Sequence, residues 1–376
     1  MIGINSNINS LVAQQNLNGT QSALSSAITR LSSGKRINSA ADDAAGQAIA
    51  SRMTSQINGL NQGVSNANDG VSMTQTASSG LSQITDNLQR IRQLAVQSAT
   101  GSLSPSDQTA LQKEVAQRIA EVNRIASQTT YNGTNVLDGS AGVVNFQVGA
   151  NVGQTISVDL SQNVSSAKIG GGFAQSGTAI GSITGLSLDA TGAATTGTAA
   201  ITTINVLADG KGGFTYTDQN NQAISSGVAT ASELSVTAAS GTTAGSIAFK
   251  TPTAATAAQT TQLASLNSNN KPPLVSAIDI STTDGANGAI EAIDNALNSV
   301  NSIQANLGAA QNRFTSIAAT QTQQATNLSS AQSQVTDANF AQETANLSKA
   351  QVLQQAGISV LAQANSMPQQ VLKLLG

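Results

Sequence analysis

The 376-residue chain carries 16 Lys and Arg against 19 Asp and Glu, a formal net charge of −3, and no Cys, His or Trp. Without Cys and His there are no disulfides, no thiolate or imidazole metal ligands and no histidine general base; cofactor, metal and enzyme roles find no support, and the redox compartment leaves no mark. The sparse charge offers no basic field to nucleic acid or anionic lipid, and no apolar run reaches the ~18 residues of a bilayer span.

Met1-Ile2-Gly3-Ile4-Asn5 lacks the basic start and apolar core of a secretory signal. Read alone, that predicts a cytoplasmic protein, and it leaves open export by a route that cleaves nothing. Ala13, Leu17, Leu24, Ala27 and Leu31 then recur at helical spacing, and the heptad through the three leucines favours a helix partner. Ser33-Gly34 ends this helix, with Gly34 as the left-handed cap. Ser39 and Asp42 read as the cap of a short second helix. A long helix follows through Ile57, Leu60, Val64, Ala67 and Val71; after a phase slip near Ala77 it continues through Leu81, Ile84, Leu88, Ile91 and Ala95. Gly59, Gly63, Gly70 and Gly80 each weaken it by ~1 kcal/mol relative to Ala, and read as points of close approach or as a simple loss of helix stability. Ser104-Pro105-Ser106-Asp107 starts the next helix, whose stripe is Leu111, Val115, Ile119, Val122 and Ile125. Turns at Asn132-Gly133 and Asp138-Gly139 precede two alternating runs, Val144/Phe146/Val148 and Ile156/Val158/Leu160, which predict a hairpin.

Arg is absent between Arg124 and Arg313, and the centre holds only scattered lysines. This shift marks a distinct segment from about 165 to 285, rich in Gly, Thr and Ala. Its strand candidates, Ile201–Val206, Phe214–Thr217, Leu234–Val236 and Ile247–Phe249, predict a small folded β-rich module with long loops, the bland reading being a loosely ordered linker. Val300, Ile303, Leu307, Ala310, Phe314 and Ile317 then keep a heptad, Gln321 and Gln324 interrupt it, and Leu328, Ala331, Val335 and Ala338 restore it. About 45 residues of such helix span ~70 Å, the length of a coiled-coil or bundle element. After Phe340 the pattern widens through Leu347, Val352, Leu353, Ile358, Val360, Leu361 and Met367, and the chain closes on Pro368–Leu375, also apolar.

Helical stripes at 57–98, 105–128 and 290–338 can form one bundle only if the two ends of the sequence meet and the middle projects as an insertion. The outer segments 1–34 and 341–375 then extend it as an antiparallel pair. Two helices cannot bury so broad an apolar surface, whereas neighbouring copies in a head-to-tail contact that does not close can, and the product is an open helical filament.

The residues that carry a family resemblance are Ile4-Asn5, Leu31-Ser32-Ser33-Gly34, the run Arg36 to Gly46, Asn66 to Gly70 and Leu88 to Ser98, with Phe340 to Thr344, Gln354 to Gly357 and Leu361 to Asn365 at the other end. Over roughly 1–165 and 285–376 the chain resembles bacterial flagellin. The resemblance implies a mainly α fold with an inserted β-rich domain, in which long helices from both termini form a coiled coil and a bundle with an adjoining β-hairpin. It implies three domains: 1–44 with 335–376 as the inner core, 45–175 with 285–334 as the bundle, and 176–284 as a variable outward-facing domain. It further implies self-assembly through Leu17, Leu24, Leu31, Leu347, Leu353, Leu361 and Leu372, and innate-receptor contact at Gln89, Arg90, Leu94, Gln97 and Glu114. Partners implied are copies of the chain, a filament cap, hook–filament junction proteins, a C-terminal export chaperone and a host innate receptor, with no nucleic acid and no membrane insertion. Location would be the extracellular filament, reached by flagellar export without a cleaved signal. Many members carry Lys where Ala41 stands, which puts in doubt any salt bridge at that turn.

From the residues alone, Arg90 and Arg92 flank Ile91 and read as solvated neighbours or as partner contacts. Glu114 beside Lys113 reads as a surface pair. Asp42-Asp43 reads as a helix start rather than a metal site, and Asp337 with Asn339 as a cap or turn. Leu307, Phe314 and Leu328 are core under every hypothesis. The alternatives to a filament subunit are a junction-type flagellar protein, a coiled-coil surface adhesin and, last, an enzyme without a credible carboxylate pair.

Overall fold

The computed structural model describes residues 7–231, 234–250 and 256–375, with side chains at 230–231 and 368–375 left aside. The elements, in order, are α1 (Ile8–Ser33), α2 (Ala44–Ser98), α3 (Pro105–Gln128), the short strands β1 (Thr130–Tyr131) and β2 (Thr134–Asn135), β3 (Gly142–Gln147), β4 (Thr155–Leu160), β5 (Ala179–Leu188), β6 (Ile201–Ala208), β7 (Phe214–Thr217), β8 (Ala223–Ile224), α4 (Ser226–Ala231), β9 (Leu234–Thr237), β10 (Ser246–Phe249), α5 (Ala257–Asn269), a 3-10 turn (Val275–Ala277), α6 (Thr283–Thr336) and α7 (Phe340–Leu375). The fold is mainly helical with a β-rich insertion, as the sequence predicts. Contacts divide it into two compact units: residues 1–66, 147–154 and 317–376, and residues 67–146 and 155–316.

In the first unit α1 lies against α7. Gly34 ends α1 with φ 70°, a conformation that glycine adopts without a Cβ penalty. The expected second helix does not form. Asp42 instead turns its carboxylate back onto the Asn38 and Ser39 N–H groups at 3.1 and 2.9 Å, which closes a turn. Asp43 then accepts from the Gly46 N–H at 2.9 Å, so α2 starts at Ala44, well before its apolar stripe begins. The glycines of α2 are notches in this unit: a Cβ on Gly63 would stand 2.2 Å from the Val148 carbonyl oxygen, and one on Gly59 2.9 Å from Ala150.

In the second unit α3 opens with a complete capping box, the Ser104 hydroxyl and the Asp107 carboxylate each satisfying the other's backbone N–H. Leu81, Ile84, Leu88, Ile91, Val115, Val122, Val300 and Phe314 are buried as the helical stripes require. Gly70 leaves room for the Phe314 ring, which meets Phe146 edge-on at 5.3 Å between centroids. Asn132 and Gly133, at φ 47° and 77°, make the tight turn between β1 and β2. β3 and β4 form the expected hairpin sheet.

The inserted module is a four-stranded antiparallel sheet in the order β5-β6-β7-β8 with a separate β9–β10 pair. All four predicted strands are present; β5, β8, α4 and α5 are additions to the reading. The module has its own core, in which Ile183, Ile204, Leu234 and Ile247 are joined by Leu263 and Leu266 from α5.

Candidate functional site

The site is built where the two chain ends meet in the first unit. Backbone bonds fasten the crossing: Arg36 N–H to the Thr336 carbonyl at 2.7 Å and Ala338 N–H to the Gly34 carbonyl at 2.9 Å. Asp337 bonds to the Ser333 hydroxyl and, with the Thr336 hydroxyl and nearby Lys35, this holds its carboxyl below the usual aspartate range. Asn339 caps α7, its Oδ1 accepting from Gln342 N–H at 3.3 Å. Both residues therefore act as turn and cap groups.

Along the pair the seam is made of small residues and half-buried leucines. Ala13, Ala27, Ala350 and Ala364 are buried, and Gly357 brings α7 close to the Leu17 side chain. Arg30 reaches the buried Glu343 at 3.6 Å. Polar bonds near the far end join Asn7 to the Ala364 carbonyl at 2.7 Å and Ser10 to Asn365 at 2.7 Å. A groove of about 810 Å³ runs between the helices, lined among others by Ala13, Leu17, Ala27, Leu353, Gly357 and Val360.

The structure sorts the proposed assembly residues. Leu17, Leu24, Leu31, Leu347 and Leu361 are half-buried within the pair, Leu353 is exposed, and the side chain of Leu372 lies outside the described residues. Besides Leu353, the exposed large apolar residues are Ile8, Leu11, Val12 and Ile28 on α1, and Phe340, Val352, Ile358, Val360 and Met367 on α7; Leu353 and Val360 stand at the edge of the groove. The heptad leucines of α1, with Leu347 and Leu361 of α7, fall on the inward seam. The non-heptad residues of the widened pattern after Phe340 were the signal for the outward surface.

The second residue set lies on α2 and α3. Gln89, Arg90 and Gln97 are exposed and Glu114 is half-exposed. Arg90 Nε donates to Glu114 at 2.9 Å, which draws the carboxyl below the usual glutamate range. Leu94 departs from the expectation. It is 1% exposed, because α2 turns it into the same core as Ile91 and Ala95. Arg92 points elsewhere, gripping both oxygens of Asp294 at 2.7 and 3.1 Å. No helix among the described residues is long and apolar enough to cross a membrane.

Against this geometry the comparisons are informative. Residues 4–142 match a family model described as bacterial flagellin N-terminal helical region, 172–269 one for the flagellin D2 domain, and 290–375 one for the bacterial flagellin C-terminal helical region. The chain is 37% identical to the B-type flagellin of Pseudomonas aeruginosa over 99% of both chains, and 37% identical to flagellin B of Vibrio cholerae over the full length of both. The solved structure of FliC from Burkholderia pseudomallei is 57% identical, with a TM-score of 0.61, over 65% of this chain and all of that one.

Proposed function

The chain belongs to the bacterial flagellin family and is a structural subunit of the extracellular flagellar filament; from that premise we propose that α1 and α7 are its polymerising part, covered in the filament by copies of the same chain. The supporting observation is the set of large apolar side chains left exposed on the α1–α7 pair, with Leu11 and Val352 each about two-thirds exposed at 66% and 67%. At ~25 cal/mol per Å² of apolar surface removed from water, covering such exposed residues favours association.

The finer reading follows. Residues 1–44 and 335–376 form the inner core, 45–175 and 285–334 the surrounding bundle, and 176–284 the outward variable domain. Leu17, Leu24, Leu31, Leu347 and Leu361 align the pair, while Leu353, with the other exposed apolar residues of α1 and α7, meets neighbouring copies. Beyond its own copies, the partners are a filament cap, hook–filament junction proteins, an export chaperone for α7 and a host innate receptor at Gln89, Arg90, Gln97 and Glu114. The role is structural, without catalysis, and the chain leaves the cell through the flagellar export apparatus without cleavage.

Seeded growth tests the polymerising face. Replacing Ile358 and Val360 with Asp is expected to stop elongation from filament seeds while most of the far-UV helical signal of the chain persists. Normal elongation of that variant would sink the assignment, and short stoichiometric assemblies from the native chain would point to a junction-type protein instead.

A further inference from the structure

We propose that Glu291, seconded by Asn295, is a proton-sensitive latch on the neck of the inserted module: with its carboxyl neutral it holds the entering segment 173–175 against α6, and with the carboxyl ionised it lets that segment loosen.

Two chain passages make the neck. The entering Ala174 N–H donates to the carbonyl of Asn270 on the returning passage at 3.3 Å. The Asn270 side chain ties the returning passage to the Gly212 and Gly245 carbonyls at 2.8 and 3.3 Å. α6 adds two side chains one helical turn apart. Asn295 Nδ2 donates to the Phe173 carbonyl at 3.0 Å, and the buried Glu291 carboxyl lies close enough to the Gln175 N–H to feel it.

Glu291 is the unusual member. It is 6% exposed, and its Oε2 has no hydrogen-bond partner. The charged groups acting on it are Asp294 from its own helix and Arg92 from α2. Arg92 is committed as a fork to both Asp294 oxygens. Phe173, Ala174, Gln175, Asn269 and Asn270 carry no charge, and Lys271, which follows on the returning passage, is exposed. The ionised carboxylate is therefore left with one N–H, a like charge one turn away and a share of one cation that Asp294 already engages. Leaving a buried charge so poorly matched is unfavourable, and hydration by opening the neck relieves it.

The direction of the pH effect follows from linkage. Burial first, and the Asp294 charge second, push the Glu291 carboxyl above the ordinary glutamate value, with the Gln175 N–H and Arg92 opposing. A closed neck thus binds the proton more tightly than an opened, hydrated one. Acidification towards the ordinary glutamate value of 4.5 tightens the neck, and raising the pH through the elevated folded value loosens it.

Hydrogen exchange on the full chain, compared at about pH 5 and about pH 7.5 after correction for intrinsic rates, tests this. Peptides covering 172–176 and 269–273 are expected to be several-fold better protected at the lower pH. In Glu291→Gln they are expected to show the acid-level protection at both pH values, with the β1–β2 hairpin behaving alike in both proteins. A Glu291→Gln neck that keeps the native pH dependence, or a native neck that loses protection on acidification, overturns the latch. Should Glu291→Gln fail to fold, the native carboxyl is titrated directly by isotope-edited NMR, and a midpoint at the ordinary glutamate value overturns it equally.

Discussion

Gly63 and Gly19 both interrupt helices, yet replacing them should have opposite effects. A Cβ at Gly63 would collide with the Val148 carbonyl at 2.2 Å, a backbone atom that cannot swing away, and with Gln321 Oε1 at 2.5 Å. At Gly19 nothing lies within 4 Å. Helix propensity favours Ala by ~1 kcal/mol at either site. Gly19→Ala is therefore expected to stabilise by up to about that amount, while Gly63→Ala is expected to destabilise by about 1–3 kcal/mol because the clash outweighs the gain. Thermal unfolding of the two variants decides it, and equal shifts would mean that the notch is not tight. A second residue pattern concerns acid. Asp138, Asp159, Asp189 and Asp279 each stand two residues before a Ser or Thr whose hydroxyl and N–H they bind, and in each case the hydroxyl bond comes first among the causes that lower the carboxyl below the usual aspartate range. Depressed folded values give stability that is present above the unfolded value and is lost as pH falls through the folded one. Glu291, raised, works in the opposite sense. The melting temperature is thus expected to rise slightly from about pH 7.5 to about pH 5 and to fall below about pH 4. Glu291→Gln should remove the rise and keep the fall.

At the scale of elements, helix ends are set by chemistry that a single substitution can remove. Ser104→Ala deletes one half of the α3 capping box, and is expected to destabilise the second unit by about 1 kcal/mol in denaturant melts. Ser106→Ala, next to it and outside the reciprocal pair, should be close to neutral. Such caps are also why the helices were legible in the sequence: Gly34, Pro105 and Asp107 announce their roles by residue type. The strands β6, β7, β9 and β10 were legible because β-branched and aromatic residues concentrate in them. β5 was not, because Ala179–Leu188 carries two glycines, and its pairing with β6 shifts register twice to accommodate the irregularity. α5 was hidden by its Thr, Gln and Ser content; only Leu263 and Leu266 mark its buried face, too few for a stripe, although the Thr256–Gln259 capping box was there to be read. The turn at Asn38–Asp42 misled because an Asp three residues after a Ser serves equally as a cap partner and as a turn closure. Assembly residues were half legible. The sequence shows that α7 is apolar too widely for one partner, but not which residues α1 takes, and that division decided which side chains stay outside.

At the scale of the molecule, the inserted module is energetically its own body. Ile183, Ile204, Val206, Leu234 and Ile247 bury one another with α5, and among the described residues none of the large apolar side chains of α1, α2, α3, α6 or α7 is a member of that cluster. Its two ends are already side by side, joined by the Ala174–Asn270 hydrogen bond. A short linker can therefore close the gap at little loop-closure cost, about 0.6 kcal/mol for each doubling of its length. Replacing 177–268 by four to six Gly and Ser residues is expected to leave the helices folded and the chain able to extend filament seeds, because the exposed apolar residues of α1 and α7 are untouched. The complementary piece, 172–272, is expected to melt cooperatively by itself. Electron microscopy of the shortened chain and calorimetry of the excised module check the two halves separately. Loss of seeded growth with intact helicity would mean that the module, and not only the terminal pair, joins neighbouring subunits. A non-cooperative melt of the excised module would mean that the neck contacts to α6 are needed to complete its fold.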